Sequence, residues 1–377
     1  MNAACLAPNG MSVYHGAGAP NSLLVGTAKG IAVLERAPGQ DWSLSGTALE
    51  DQHISSLLIE PVNGGLYAGV HRGGVFFSAD QGRSWEPRDA GITIDHVYSL
   101  AGAVENGKPI VYAGTEPPSL FRSADEGRSW EELPGWHDMP GKDKWVFPMP
   151  PKIPHAKTLA VDPRDPRVIY VGVEQAGLFK TNDGGRTWRE LDSYSLPEDE
   201  SYRDIHQCVL RPNHPDEIFM TTGMGLYRSV DGGEHWTHLT HHHDFRIGYP
   251  DMLIFSPLDD RTMFMCGAFS NPGTWIELHT ANATVLVSHD LGETWSPAAN
   301  GLPAMTANLE AMSLYAEPGG FSLFAGATNG NVYCSDDGAQ NWRQIAGDLA
   351  PVSKVGHYRL LLPGAVSSRQ RAAHAQP

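Results

Sequence analysis

Cysteine is scarce in this sequence. Cys5, Cys208, Cys266 and Cys334 lie far apart and form no CxxC pair. Such spacing argues against a disulfide framework and against a zinc knuckle. Long hydrophobic runs are missing too: no stretch approaches the roughly 18 apolar residues that a membrane-spanning helix needs. Basic charge is in short supply, with 27 Lys and Arg against 43 Asp and Glu, a net charge of −16. An acidic surface repels phosphate backbones and anionic lipid, so neither nucleic acid nor membrane is an expected partner. The first twenty residues show no charged start leading into an apolar stretch of about 7–15 residues. The expected setting is therefore cytoplasmic and reducing. Low complexity is also excluded: Gly and Pro make up about 18% of the chain, short of the share typical of disordered segments. With 41% hydrophobic residues, the chain can bury a large core.

An eight-residue pattern recurs through the sequence. It reads SADQGRSW at 78–85, SADEGRSW at 123–130, TNDGGRTW at 181–188, SVDGGEHW at 229–236 and SHDLGETW at 288–295. A sixth copy, SDDGAQNW at 335–342, has Ala339 in place of Gly, and ERAPGQDW at 35–42 keeps only Gly39 and Trp42. Successive tryptophans are 43, 45, 58, 48, 59 and 47 residues apart. A period near that length, with short strands between turns, predicts propeller blades. Each Asp can accept backbone N–H groups and pin a turn, and the Gly two residues on can turn left-handed. These motifs predict a turn staple, not catalysis.

At these residues the chain resembles the Asp-box (BNR) repeat family. That family includes sialidases, xyloglucan-active glycosidases, sortilin-type receptors and a photosystem II assembly factor. The resemblance implies an all-β, seven-bladed β-propeller. It is weak for function, because such boxes sit on the outer rim, away from the axis.

Strand patterns fit around the boxes. LYAGV, VYAGT, IYVGV, IFMTT, MFMCG and LFAGA read as second strands; VFFSA, LFRSA, LFKTN, LYRSV, VLVSH and VYCSD read as third strands. LLVGT and GIAVLE begin a blade with no first strand, and VGHYRLLL (355–362) is the predicted donor of it. The N- and C-terminal segments would then share one blade and close the ring. The single domain is set at 1–362, with 363–377 as a flexible tail.

Aligned on a Leu four positions on, the axial end of the inner strands reads His53, His96, His155, His206, Tyr249, Glu310 and His357. Five of seven are His in a chain with only 17. His71, Glu116 and Glu174 follow the second strands. Antiparallel pairing brings them to the same mouth of the channel. Imidazole with carboxylate is ligand chemistry for Zn, Fe, Mn or Cu. His53, His71, His96, His155, His206, His357 and Glu310 form the expected metal-ligand pool. Glu116, Glu174 and Tyr249 are the expected catalytic groups: either carboxylate as ligand, ligand-orienting group or general base, and Tyr249 as donor or acceptor of a proton. Axial histidines that merely hydrogen-bond one another and channel water remain an alternative. The placement of His also resembles metal-dependent propeller enzymes such as carotenoid-cleaving oxygenases and manganese-dependent uronate lyases, with no contiguous motif shared.

The expected function is a metal-dependent enzyme acting on a small-molecule substrate at the axial mouth, whether hydrolase, lyase or oxidase. A sialidase-like or other glycoside hydrolase using Glu116 and Glu174 is the alternative, although the sialidase Arg-Ile-Pro motif has only FRIG at 245–248 as a counterpart. A non-catalytic protein-binding scaffold is the third reading. His238 and His241–His243 read as a solvated loop, and Cys208 as a core thiol or a ligand. The insertions 131–154 and 268–284 are long enough to act as lids, with Trp136, Trp145, Phe147 and Trp275 as candidate pocket walls.

Overall fold

The computed structural model describes residues 2–139, 141–147, 152–194, 203–354 and 356–361. Its strands form seven separate sheets, the blades of a seven-bladed β-propeller. Blade 1 holds Ala3–Leu6, Ser22–Thr27, Gly30–Glu35 and Ser43–Ala48. The inner strands of blades 2 to 7 are His53–Ile59, Val97–Glu105, Ala156–Val161, Ile205–Arg211, Tyr249–Phe255 and Leu309–Glu317. The second strands end at His71, Thr115, Val173, Thr222, Ala268 and Ala327. All the predicted second strands fall within these elements.

Burial follows position in the blade. Met263–Ala268 is buried at every residue, because neighbouring blades cover both faces of an inner sheet. The outer strand Ser43–Ala48 is almost wholly exposed. Tyr67, Tyr170, Phe121, Phe179, Phe219 and Phe324 are fully buried. Burying each such ring contributes about 1.5–3 kcal/mol.

The ring does not close as the sequence pattern predicts. The slot beside Ser22–Thr27 is filled by Ala3–Leu6, and the pairing is parallel. Ala4, Cys5 and Leu6 have no exposed surface, so the slot takes three apolar side chains. His357–Leu361, meanwhile, is a 3-10 turn. Leu360 and Leu361 of that turn pack near the short helix Pro272–Leu278, in a cluster with Trp275. His357 therefore lies off the inner strands. The tail 363–377 falls outside the described residues.

The N-terminal segment goes on to cross the tunnel. Asn9–Gly10 pairs parallel with Ser56–Leu57 of blade 2, and Val13–His15 pairs parallel with Leu314–Ala316 of blade 7. Asn9 Nδ2 donates to the carbonyl of Tyr98 at 3.2 Å, and Leu314 N donates to Ser12 O at 2.7 Å. Tyr98 is near the start of its strand, Ser56–Leu57 lie midway along theirs, and Leu314–Ala316 lie past the middle of theirs. One end of the tunnel is lined by residues 8–13, and the axial ends of the inner strands face the other mouth.

The eight-residue repeats connect third to fourth strands on the face opposite that mouth. In SADQGRSW the Ser78 hydroxyl donates to Asp80 Oδ1 at 2.8 Å and accepts from Gly82 N at 2.8 Å. Asp80 also accepts from Ser84 N and the Ser84 hydroxyl. The same bonds recur around Asp125, Asp183, Asp231, Asp290 and Asp337, with the side chain of His235 or Asn341 replacing the second hydroxyl in two of them.

Candidate functional site

Six inner strands carry a β-bulge at the same place. In blade 3 Val97 pairs with Thr115 and Ser99 with Gly114, leaving Tyr98 as the extra residue. The extra residue is Ser55 in blade 2, Lys157 in blade 4, His206 in blade 5, Asp251 in blade 6 and Glu310 in blade 7. A bulge re-aims one side chain and leaves the ladder intact on either side. In blades 2, 3, 4 and 7 the residue after the bulge faces a Gly on the second strand: Gly69, Gly114, Gly172 and Gly326. A Cβ on Gly114 would sit 2.8 Å from Ala156 O and 2.5 Å from Ser99 Oγ.

The bulges fix the true equivalences. Two residues before each bulge lie His53, His96, His155, Asp204, Tyr249 and Asn308, which form an upper tier. Glu116 N donates to His96 O, Glu174 N to His155 O and Gly223 N to Asp204 O, which confirms the alignment. Three histidines share this tier, not five. His206 and Glu310 belong one step deeper, among the bulged residues. Counting back from Leu210 and Leu314 misplaces both, because the Leu lies four residues past the bulge in these strands and two past it in blades 2 to 4.

The side chains form a nearly continuous ring. His53 Nε2 lies 3.0 Å from Ser353 O, and its ring is 5.6 Å from that of His71, which is 4.5 Å from that of His96. Arg72 Nε donates to His96 Nε2 at 3.0 Å, so the proton of neutral His96 is on Nδ1, 3.5 Å from Glu116 Oε1. Glu116 Oε2 is 3.3 Å from His155 Nδ1. The other nitrogen of His155 is hydrogen-bonded to Glu174, whose second oxygen takes Lys157 Nζ. Tyr98 stacks on His155 at 3.8 Å. Lys354 Nζ pairs with Asp251, and Asn308 Nδ2 donates to Asp251 Oδ2 at 2.9 Å. Glu310 accepts from the Ser353 hydroxyl and Lys354 N, both at 2.9 Å.

Electrostatics divides the ring. Burial alone would raise the Glu174 carboxyl, but the charges of Lys157 and His155 hold it well below the usual range. Burial works against a charge on His155, yet Glu174 and Glu116 together raise its pKa. Burial pushes His71 down to about 4 against the pull of Glu116, and it lowers His53 as well. Tyr249 is buried and pushed well up, chiefly by burial. It packs against His206 with ring centres 4.2 Å apart.

Two triads bring one ligand atom from each member within 4.8 Å of the others: His71, His96 and Glu116 at the mouth, and Glu174, Asp204 and His206 deeper down. The expected glycosidase pair is arranged differently from the sequence expectation. The His155 imidazole fills the space between Glu116 and Glu174, where a scissile bond would otherwise lie. Of the four candidate pocket walls, Phe147 lies against His155 at 5.3 Å and Trp275 meets Tyr249 edge-on at 6.2 Å. Trp136 and Trp275 are fully buried in the core, and Trp145 packs on Trp136 and Phe179. Lys157, Asp204, Asp251, Asn308 and Lys354 were missed by sequence reasoning. For the first four the signal is a polar-x-polar opening to an otherwise apolar strand: His155-x-Lys157, Asp204-x-His206, Tyr249-x-Asp251, Asn308-x-Glu310.

No family model matches the chain. An 84-residue stretch, 22% of the chain, is 29% identical to a probable oligoxyloglucan-reducing end-specific xyloglucanase of Neosartorya fischeri. The same length is 26% identical to the oligoxyloglucan-reducing end-specific xyloglucanase of Emericella nidulans. The chain spans about a tenth of the length of these curated relatives. Among solved structures, the GH74 xyloglucanase of Xanthomonas campestris superposes with a TM-score of 0.56 at 18% identity, over 78% of this chain and 45% of that one. The GH74 enzyme of Niastella koreensis gives 0.56 at 18%, over 77% and 45%. YCF48 from Cyanidioschyzon merolae gives 0.51 at 15%, over 78% and 84%. At these identities the likeness establishes the propeller fold, and the fold hosts both enzymes and non-enzymes.

Proposed function

We propose that the chain is a hydrolase working at the mouth lined by His71, His96 and Glu116, on a polyhydroxylated, saccharide-type substrate. One observation carries the reading. Glu116 faces the partly open histidines of the mouth and is braced by two imidazoles, while Glu174 is spent on Lys157 and His155. Glu116 accepts the proton of an attacking water, the role its geometry suits best. Arg72 and His96 hold it in place. Burial keeps His71 neutral, with its pKa down at about 4, so it relays the proton: its unpartnered Nδ1 takes the proton from Glu116 as its other ring nitrogen gives one to the leaving oxygen. The saccharide class is supported by the xyloglucanase names of the partial relatives and structural neighbours.

The test is turnover of aryl glycosides and xyloglucan oligosaccharides by the wild type and by Glu116→Gln. The variant should lose about 100-fold or more in kcat and keep its thermal transition. A wild type that turns over none of these substrates, or a variant as active as the wild type, would overturn the proposal. The first outcome would favour a binding scaffold.

A further inference from the structure

We propose that Glu174, Asp204 and His206 form a site for one divalent cation of the Zn²⁺ or Mn²⁺ type, entered from the tunnel and not from the mouth. The three residues are 2%, 9% and 3% exposed. Their ligand atoms lie within 4.8 Å of one another. The bulge of blade 5 places His206 one step below the upper tier, directly beneath Asp204.

The tautomer of His206 supplies the independent argument. Its Nδ1 donates to Pro250 O at 2.6 Å, so in the neutral ring Nε2 carries a bare lone pair. That nitrogen is buried and has no hydrogen-bond partner. It faces Asp204 Oδ2 at 3.3 Å. Two acceptors pointed at each other inside a protein repel unless something positive lies between them. A proton there would give an ion pair with Asp204 at 3.3 Å that lacks hydrogen-bond geometry. A cation fits well: a ligating histidine characteristically donates its other ring N–H to a carbonyl, as His206 does to Pro250. One imidazole and two carboxylates suit borderline divalent ions better than Cu(I) or other soft ions. Glu174 already receives His155 and Lys157, but each carboxylate oxygen keeps a second lone pair.

An entry path exists. A cavity of about 510 Å³ is lined by His206, Lys157, Thr158 and Gln207 together with residues 8–13. Water from that cavity completes the coordination.

The test uses the full chain without an affinity tag, stripped by chelator and titrated with Zn²⁺ and with Mn²⁺. Expected results are one equivalent retained after desalting, a raised Tm, and movement of the His206 Nε2 resonance in ¹⁵N imidazole spectra. Asp204→Asn preserves shape and should weaken binding at least tenfold while keeping the metal-free Tm. The spectroscopic readout on the wild type needs no variant to fold. Failure to bind either ion at millimolar concentration overturns the proposal. So does an Nε2 that is protonated and indifferent to metal, or stoichiometric metal retained by Asp204→Asn, which would move the ion to the His71 triad or the His238–His243 tract. None of these readouts involves turnover, so the cation site and the hydrolase reading fail separately.

Discussion

The two faces of the propeller use their carboxylates in opposite ways. On the box face, six aspartates sit in near-copies of one turn. Each receives a hydroxyl at 2.8–2.9 Å from the residue two before it and a backbone N–H from four residues on. They are partly exposed and locally satisfied. On the axial side, equivalent backbone positions carry His, Asp, Tyr and Asn in the upper tier, and Ser, Tyr, Lys, His, Asp and Glu in the lower. These side chains are mostly buried, and several nitrogens lack partners. Where the fold repeats and the residue repeats, the residue serves the fold. Where the fold repeats and the residue changes, the difference marks the place to look for chemistry.

The sharpest way to break this contrast is to remove a buried cation from the ring. Lys354→Met leaves Asp251, a 1% exposed carboxylate, with only the Asn308 amide. An uncompensated buried charge costs about 3–5 kcal/mol, readable by urea denaturation. The double variant Lys354→Met/Asp251→Leu should recover most of that loss. A single variant within about 1 kcal/mol of wild type would show that water already reaches the pair.

A box residue should matter less, and its effect should depend on pH. Asp183→Ala removes bonds from Thr181, Arg186 and Thr187. The net loss at pH 7 is about 1 kcal/mol, because solvent replaces much of what is removed. Those bonds hold the folded Asp183 carboxyl at about 2, below its ordinary 3.8. A pKa depressed by folding stabilises above the unfolded value and stops doing so as pH falls through the folded one. The gap between wild type and variant should therefore be full at pH 5–7 and close between about pH 4 and pH 2. A gap that stays constant down to pH 2 would mean the turn is held by something other than the carboxylate.

The blade count, the second and third strands and the mouth on which the histidines gather were legible in the sequence, because each rests on local periodicity. The ring closure was not. VGHYRLLL carries a strand pattern, whereas Ala3–Leu6 offers only four residues whose partner, Ser22–Thr27, runs parallel. Nothing in the sequence announces a parallel partner of that length. The tiers were half legible. His53, His96 and His155 align correctly, but the bulges shift Asp204 and His206 by two residues against any count from a leucine. Lys354 was beyond local reasoning, since it reaches Asp251 across 103 residues.

The smallest effect tests how strict the repeat is. Ala339 occupies the Gly position of the sixth box at φ +67, where a Cβ is strained. The Ala339→Gly change relieves that strain but frees the unfolded chain, a term of about 0.4–1 kcal/mol, and removes a buried methyl. These contributions oppose one another, and the expected shift is under about 0.5 kcal/mol. The reverse change elsewhere cannot balance in this way. At Gly233 a Cβ would lie 2.5 Å from Leu191 Cδ1, so Gly233→Ala adds a clash to the backbone strain and should cost about 1–3 kcal/mol. Thermal melts of the two variants side by side decide the matter. Equal shifts would mean the box tolerates Ala wherever it stands. Unequal shifts would locate the demand for glycine in the neighbouring blade's side chain and not in the turn itself.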